Sequence, residues 1–221
     1  MSPIELAAML DHSVLKPEAT ERNVLSGADT VRQWSIGFYC VQPCWVMLAA
    51  QSLAGTSAKV VSVIGFPHGN DRAEVKAHAA LLAVADGAAE IDMVQNFAAL
   101  KSGRATMVAA DIEAVVRAVP GIPVKVILET AALTDDEKRD ACRLAVAAGA
   151  AFVKTSTGFH PAGGATVADV RLMRAAVGPA VGVKASGGIR SLADVRAMIE
   201  AGANRIGASA SAVILADLGS G

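Results

Sequence analysis

The sequence predicts an α/β chain closed into an eight-stranded (β/α)8 barrel, a TIM barrel, as a single domain over residues 1–221. Short β-type runs alternate with helical patterns along the whole chain, and strands joined through helices pair in parallel. At four places a helical run ends in glycine and a β-type run begins directly after it. These are Gly37-Phe38-Tyr39-Cys40-Val41, Gly87-Ala88-Ala89-Glu90-Ile91-Asp92, Gly149-Ala150-Ala151-Phe152-Val153-Lys154 and Gly202-Ala203-Asn204-Arg205-Ile206-Gly207. Glycine suits the left-handed position that closes a helix, so each block reads as helix, cap, strand. Eight such units in 221 residues favour closure over an open sheet.

The remaining strands are expected near Met9-Leu10-Asp11, over Lys59–Gly65, Val124–Glu129 and Val181–Ala185. Helices are expected over Glu21–Trp34, Cys44–Leu53, Arg72–Asp86, Ala105–Val119, Asp135–Ala148, Thr166–Val177 and Leu192–Ala201, with a short one after Ser209. The uncharged stretch from Gln33 to Ala58 is long enough to span a bilayer. A Pro43-Cys44 turn splits it, and it reads as a buried strand followed by a packed helix.

A net charge of −1 with no basic run argues against nucleic acid as a partner. No signal-peptide pattern opens the chain, and Cys40, Cys44 and Cys142 are an odd number without CxxC spacing. Cys40 and Cys44 are expected to act as small hydrophobes in a reduced, cytoplasmic setting, with no membrane partner. The four histidines show no metal-ligand spacing, so neither a metal nor another cofactor is expected. His78 is expected to face solvent, whereas His68 and His160 lie in loops at the expected active face, within reach of substrate.

Five residues beyond each capping glycine stand Gln42, Asp92, Lys154 and Gly207, at the expected C-terminal strand ends where barrel enzymes place their chemistry. Lysine is rarely buried without a reason, because its charged form loses solvation. Lys184 repeats the situation of Lys154 one βα unit later, bringing two ammonium groups into one mouth. Like charge and desolvation both favour the neutral amine that a nucleophilic lysine needs. Moving a lysine from about 10.4 to about 7 takes roughly 4–5 kcal/mol, more than either effect supplies easily alone. Either lysine has a bland reading as a side chain that snorkels to the rim. Asp92 can neutralise the lysines or move protons, and Asp11 is a weaker candidate for the same network. Small-residue loops at Thr155–Gly158, Ser186-Gly187-Gly188 and Gly207-Ala208-Ser209 suit a phosphate held by backbone N–H groups. Asp11, Thr157, Gly158, Gly187, Gly188, Gly207 and Ser209 are the expected substrate- and phosphate-binding residues.

The motifs Asp11-His12-Ser13-Val14-Leu15-Lys16-Pro17, Glu90-Ile91-Asp92-Met93-Val94, Phe152-Val153-Lys154-Thr155-Ser156-Thr157-Gly158 and Gly182-Val183-Lys184-Ala185-Ser186-Gly187-Gly188 occur in order. With Val63-Ile64-Gly65-Phe66-Pro67, Val124–Thr130 and Gly163-Gly164-Ala165-Thr166, they make the chain resemble the deoxyribose-phosphate aldolases over nearly its whole length. The resemblance implies reversible cleavage of 2-deoxy-D-ribose 5-phosphate to acetaldehyde and D-glyceraldehyde 3-phosphate. It implies that Lys154 forms a Schiff base, that Lys184 lowers its pKa and that Asp92 shuttles protons. Gln42, Gln95, Ala210 and the run Phe159-His160-Pro161-Ala162 depart from the usual family pattern, as does a tail, Gly219-Ser220-Gly221, without a terminal tyrosine. A phosphosugar isomerase or epimerase using Asp92 as base, and a non-catalytic phosphosugar-binding barrel, are the alternatives. The partners expected are the phosphosugar, aldehydes and a second copy in a homodimer.

Overall fold

The computed structural model describes residues 1–219; Ser220 and Gly221, with the tail feature noted above, lie outside the described residues. Eight parallel strands close a barrel in chain order: β1 (Leu10–Val14), β2 (Phe38–Val41), β3 (Lys59–Ile64), β4 (Glu90–Val94), β5 (Val124–Ile127), β6 (Phe152–Lys154), β7 (Gly182–Ser186) and β8 (Arg205–Ala208). β8 returns to β1 through Leu10↔Ile206 and Asp11↔Gly207. Ten α-helices accompany the strands among the described residues: α1 (Pro3–Met9), α2 (Glu21–Gln33), α3 (Val46–Ser52), α4 (Ala73–Ala85), α5 (Phe97–Lys101), α6 (Ala105–Ala118), α7 (Asp135–Ala147), α8 (Val167–Val177), α9 (Leu192–Glu200) and α10 (Ser211–Gly219).

Strand side chains alternate faces, so each strand feeds two cores. The outward set, including Tyr39, Ile91, Val126, Val183 and Ile206, packs with helix residues such as Val24, Ile112, Cys142 and Met173. Each fully buried aliphatic there contributes about 1.5–3 kcal/mol. The inward set is different in kind: Asp11, Glu90, Asp92, Lys125, Lys154, Lys184 and Arg205 are all buried there, beside an apolar patch of Cys40, Val61 and Val63 from β2 and β3 and the apolar Val94 and Ile127 of β4 and β5.

Two helices were not read from the sequence. α1 has a legible start: Ser2 accepts from Glu5 N–H, the Glu5 carboxylate accepts from Ser2 N–H, and Pro3 occupies the first turn. α5 is a single turn after β4, capped by Asn96 Oδ1 accepting from Ala99 N–H at 2.9 Å. The Gln33–Ala58 stretch forms β2, a 3-10 turn over Pro43–Trp45 and α3; no helix among the described residues is long and apolar enough to cross a membrane.

Gly37 is not the left-handed cap expected of it. Ser35 takes that conformation, at φ 50°, and Gly37 is needed for closeness, since a Cβ there would lie 2.9 Å from the Ala8 carbonyl oxygen. β5 also ends earlier than expected. Glu129 turns into the left-handed region at φ 59°, a conformation costing a non-glycine residue about 1–2 kcal/mol, and sends its carboxylate to Thr157.

Candidate active site

A cavity of about 760 Å³ opens at the C-terminal ends of the strands, with Lys154, Lys184 and Asp11 lining its floor. Its size suits a small organic substrate. Period-two alternation brings the floor together. Lys154 ends β6, Lys184 stands opposite it on β7, and Asp92 is the middle residue of β4, one layer deeper than a strand-end position. The Nζ atoms of Lys154 and Lys184 both donate to Asp92 Oδ2 at 2.8 Å, so one carboxylate oxygen joins the two amines.

Lys184 also donates to Asp11 Oδ2. Desolvation opposes its charge, but Asp11 and Asp92 outweigh that and hold the Lys184 ammonium above the ordinary lysine range. Lys184 is therefore the second cation beside Lys154. Desolvation likewise opposes the Asp92 carboxylate, yet Lys125, Lys154 and Lys184 hold it well below the usual carboxylate range. Room for Lys184 comes from Gly207, where a Cβ would sit 3.1 Å from Lys184 Cε. Gly207 is buried in β8, so its side-chain space serves the lysine; it does not belong to the mouth loops.

The expected anion-binding residues divide. Gly158, Gly187, Gly188 and Ser209 border the cavity at its mouth. Gly187, at φ +87°, packs against Gly158 and Gly164, where a Cβ would lie 3.0 Å from the Gly164 Cα. Thr157 also borders the cavity, but both its donors are taken: Oγ1 donates to Glu129 Oε2 at 2.5 Å and N–H to Glu129 Oε1 at 3.3 Å. It positions the loop. Asp11 faces Lys184 and Arg205, a place in the ionic floor and not beside an anion. Lys16 and Arg190, not singled out from the sequence, add exposed positive charge at the mouth.

Three further charged residues were missed. Lys125 donates to Asp92 Oδ1 at 2.8 Å and pairs with Glu90 at 2.5 Å, while Arg205 bridges Asp11 at 3.1 Å and Glu90 at 3.0 Å. A charge inside a short apolar strand at inward parity was the available signal. His68 and His160 do not border the cavity; His160 Nδ1 instead accepts from Ala162 N–H at 3.2 Å. His12 does border it. It points outward from β1 to Ser211 and Tyr39, and desolvation lowers its pKa to about 4, so it is neutral. His78 is exposed. Cys40 is buried on the cavity wall with its thiol pushed up to about 11, chiefly by desolvation, whereas Cys44 is exposed and does not serve as a core hydrophobe. Gln42 ties the chain after β1 by donating to the Leu15 carbonyl at 2.9 Å. Gln95 is likewise turned from the cavity, donating to the Leu128 carbonyl at 3.0 Å.

A cavity with amines at the floor and glycine loops at the rim, on the C-terminal face of a (β/α)8 barrel, defines a barrel enzyme. Residues 4–218 match the DeoC/LacD family aldolase, and the chain belongs to that family of aldolases, which are aldehyde-lyases. It is 54% identical over 213 residues to a deoxyribose-phosphate aldolase of Enterococcus faecalis, covering 96% of each chain. A Bacillus subtilis protein of the same name is 52% identical over 213 residues, covering 96% of this chain and 95% of its own. Among solved structures, a putative deoxyribose-phosphate aldolase from Coccidioides immitis matches with TM-score 0.95 at 40% identity, over 98% of this chain and 87% of that one. One from Aeropyrum pernix, described as a tetramer, matches with TM-score 0.91 at 32% identity, over 99% and 93%.

Proposed function

We propose that this chain reversibly cleaves 2-deoxy-D-ribose 5-phosphate to acetaldehyde and D-glyceraldehyde 3-phosphate through a Schiff base on Lys154. The observation that carries the reading is the Lys154 amine at the cavity floor, on the carboxylate oxygen it shares with the fixed cation Lys184. The neutral amine adds to the C1 aldehyde of the open-chain sugar, and the carbinolamine loses water to give an iminium ion. Loss of the proton from the C3 hydroxyl breaks the C2–C3 bond, and its electron pair passes into the iminium to leave an enamine. Protonation at C2 and addition of water then release acetaldehyde and restore the amine. Lys184 favours the neutral partner electrostatically, and Asp92, within hydrogen-bond reach of both amines, is the group that relays protons. Gly158, Gly187, Gly188 and Ser209 offer the phosphate site, with Arg190 and Lys16 drawing the anion to the mouth.

The isomerase reading fares worse on geometry. Asp92 would be its base and would have to take a proton from carbon, yet Lys125 holds its Oδ1 and Lys184 its Oδ2; passing protons among the amines already bound to it needs no such freedom. The direct test is intact mass after incubation with acetaldehyde and sodium borohydride, with Lys154→Ala as control. An ethyl-sized gain that maps to Lys154 and is absent in the control is the expected result. A folded protein without an adduct overturns the reading.

Self-association is part of the proposal. α4 is apolar nearly all round and leaves Val75, Leu81 and Leu82 exposed, the composition of a helix meant to be covered. Light scattering should give a dimer or a multiple of it. A reducing, cytoplasmic setting fits three cysteines that are all free.

A further inference from the structure

The charged side chains of the barrel interior close into a ring. Asp92 contacts Lys184, Lys184 contacts Asp11, Asp11 contacts Arg205, Arg205 contacts Glu90, Glu90 contacts Lys125, and Lys125 returns to Asp92. Sign alternates around it, three carboxylates with three cations, so the fully ionised ring is neutral. Lys154 hangs from this ring at one atom, Asp92 Oδ2, and is the surplus cation. Glu90 and Arg205 sit at the end of the interior away from the mouth and do not border the cavity. The Arg205 guanidinium is pressed over the Phe38 ring, 3.3 Å from its centroid, with Phe152 at 5.2 Å. Aromatic faces on an arginine that also bridges two carboxylates fix its charge in one place.

We propose that Glu90 and Arg205 are positioning residues for the aldol reaction: by closing the ring they balance its charge without Lys154, leaving the Lys154 amine with no counter-charge of its own. The inference rests on the Schiff-base reading above and adds what prepares the amine. Without Arg205 the ring carries one net negative charge and a protonated Lys154 becomes its balancing cation. Without Glu90 it carries one net positive charge and opposes that proton. Every member of the ring is buried, so these charges are little screened. The groups facing the amine are accounted for strand by strand: Asp11 from β1, Cys40 from β2, Glu90 and Asp92 from β4, Lys125 from β5, Lys184 from β7 and Arg205 from β8. β3 presents Val61 and Val63, the Cys40 thiol is neutral, and Glu129 beyond β5 is turned to Thr157.

The test is the pH dependence of reductive trapping by acetaldehyde and cyanoborohydride, read as the rate of adduct formation by intact mass. Arg205→Met should move the acid limb to higher pH, lowering trapping about tenfold at a fixed pH on that limb. Glu90→Gln should move the limb the opposite way. Arg205→Lys and the double variant Glu90→Gln/Arg205→Met both keep the ring balanced and should keep the wild-type limb, although the double variant has lost the contacts. Limbs that stay put, or that move the same way in both single variants, overturn the proposal. If the single variants fail to fold, a displaced limb in either balanced variant overturns it, and unchanged limbs in both support it. Absence of a wild-type adduct would instead remove the Schiff-base reading itself.

Discussion

The barrel interior has two arcs that solve one packing problem in opposite ways. β2 and β3 fill it with Phe38, Cys40, Val61 and Val63, while every inward charge comes from β1 and from β4 to β8, each held in contact by the others. The apolar arc needs only volume and contact. The charged arc holds only as a set, because each buried ion depends on a partner and loses several kcal/mol without one. Adjacent residues on β1 show the rule at its sharpest. Asp11, facing the ring, stays ionised because Lys184, Lys125 and Arg205 outweigh its desolvation. His12, facing the helices without a charged partner, is neutral.

The largest expected break comes from Lys184→Leu. It leaves Asp11 and Asp92 short of a cation, so urea unfolding should show a loss of about 3–5 kcal/mol, and cleavage of the phosphosugar should fall at least about 100-fold. Near-normal activity at neutral pH would end the role given to Lys184. Next is the pH dependence of stability. With a folded pKa of about 4 against about 6.5 unfolded, neutral His12 contributes stability that is complete above about pH 6.5. That stability is lost as pH falls toward 4, by roughly 3 kcal/mol, and His12→Asn should flatten the slope. Equal slopes in both proteins would show that His12 takes up its proton in the folded chain.

Smaller effects test the apolar arc and the rim. Val63→Ala should cost roughly 2 kcal/mol in urea unfolding, through lost burial and a cavity, while kcat stays within a few-fold. A collapse in kcat out of proportion to stability would mean that the arcs are coupled. Gly188→Ala meets no neighbour within 4 Å but occupies φ +81°, which implies a cost of about 1 kcal/mol. KM for deoxyribose 5-phosphate should rise several-fold, with kcat/KM for unphosphorylated deoxyribose nearly unchanged. Equal losses on both sugars would place the phosphate elsewhere.

Much of this was legible in local chemistry. Gly87, Gly149 and Gly202 do close helices at positive φ, and the lysine-bearing strands follow where the pattern puts them. Lys154, Lys184 and Asp92 stood out because charges in short apolar strands are costly unless paired. Lys125 and Arg205 carry the same signal, but they lie deeper in the barrel than the strand ends where barrel enzymes place their chemistry. The pairing of Thr157 with Glu129, 28 residues away, is announced by no local pattern.

The sequence by itself determined the alternation of strand and helix, the glycine closures and the inward parity of the charged residues, since these depend on neighbours along the chain. Only the tertiary structure decided which charge pairs with which. Asp11 meets Arg205 across 194 residues, and Glu90 meets Arg205 across 115. Barrel closure brings them together, and the electrostatic state of each depends on all of its partners at once.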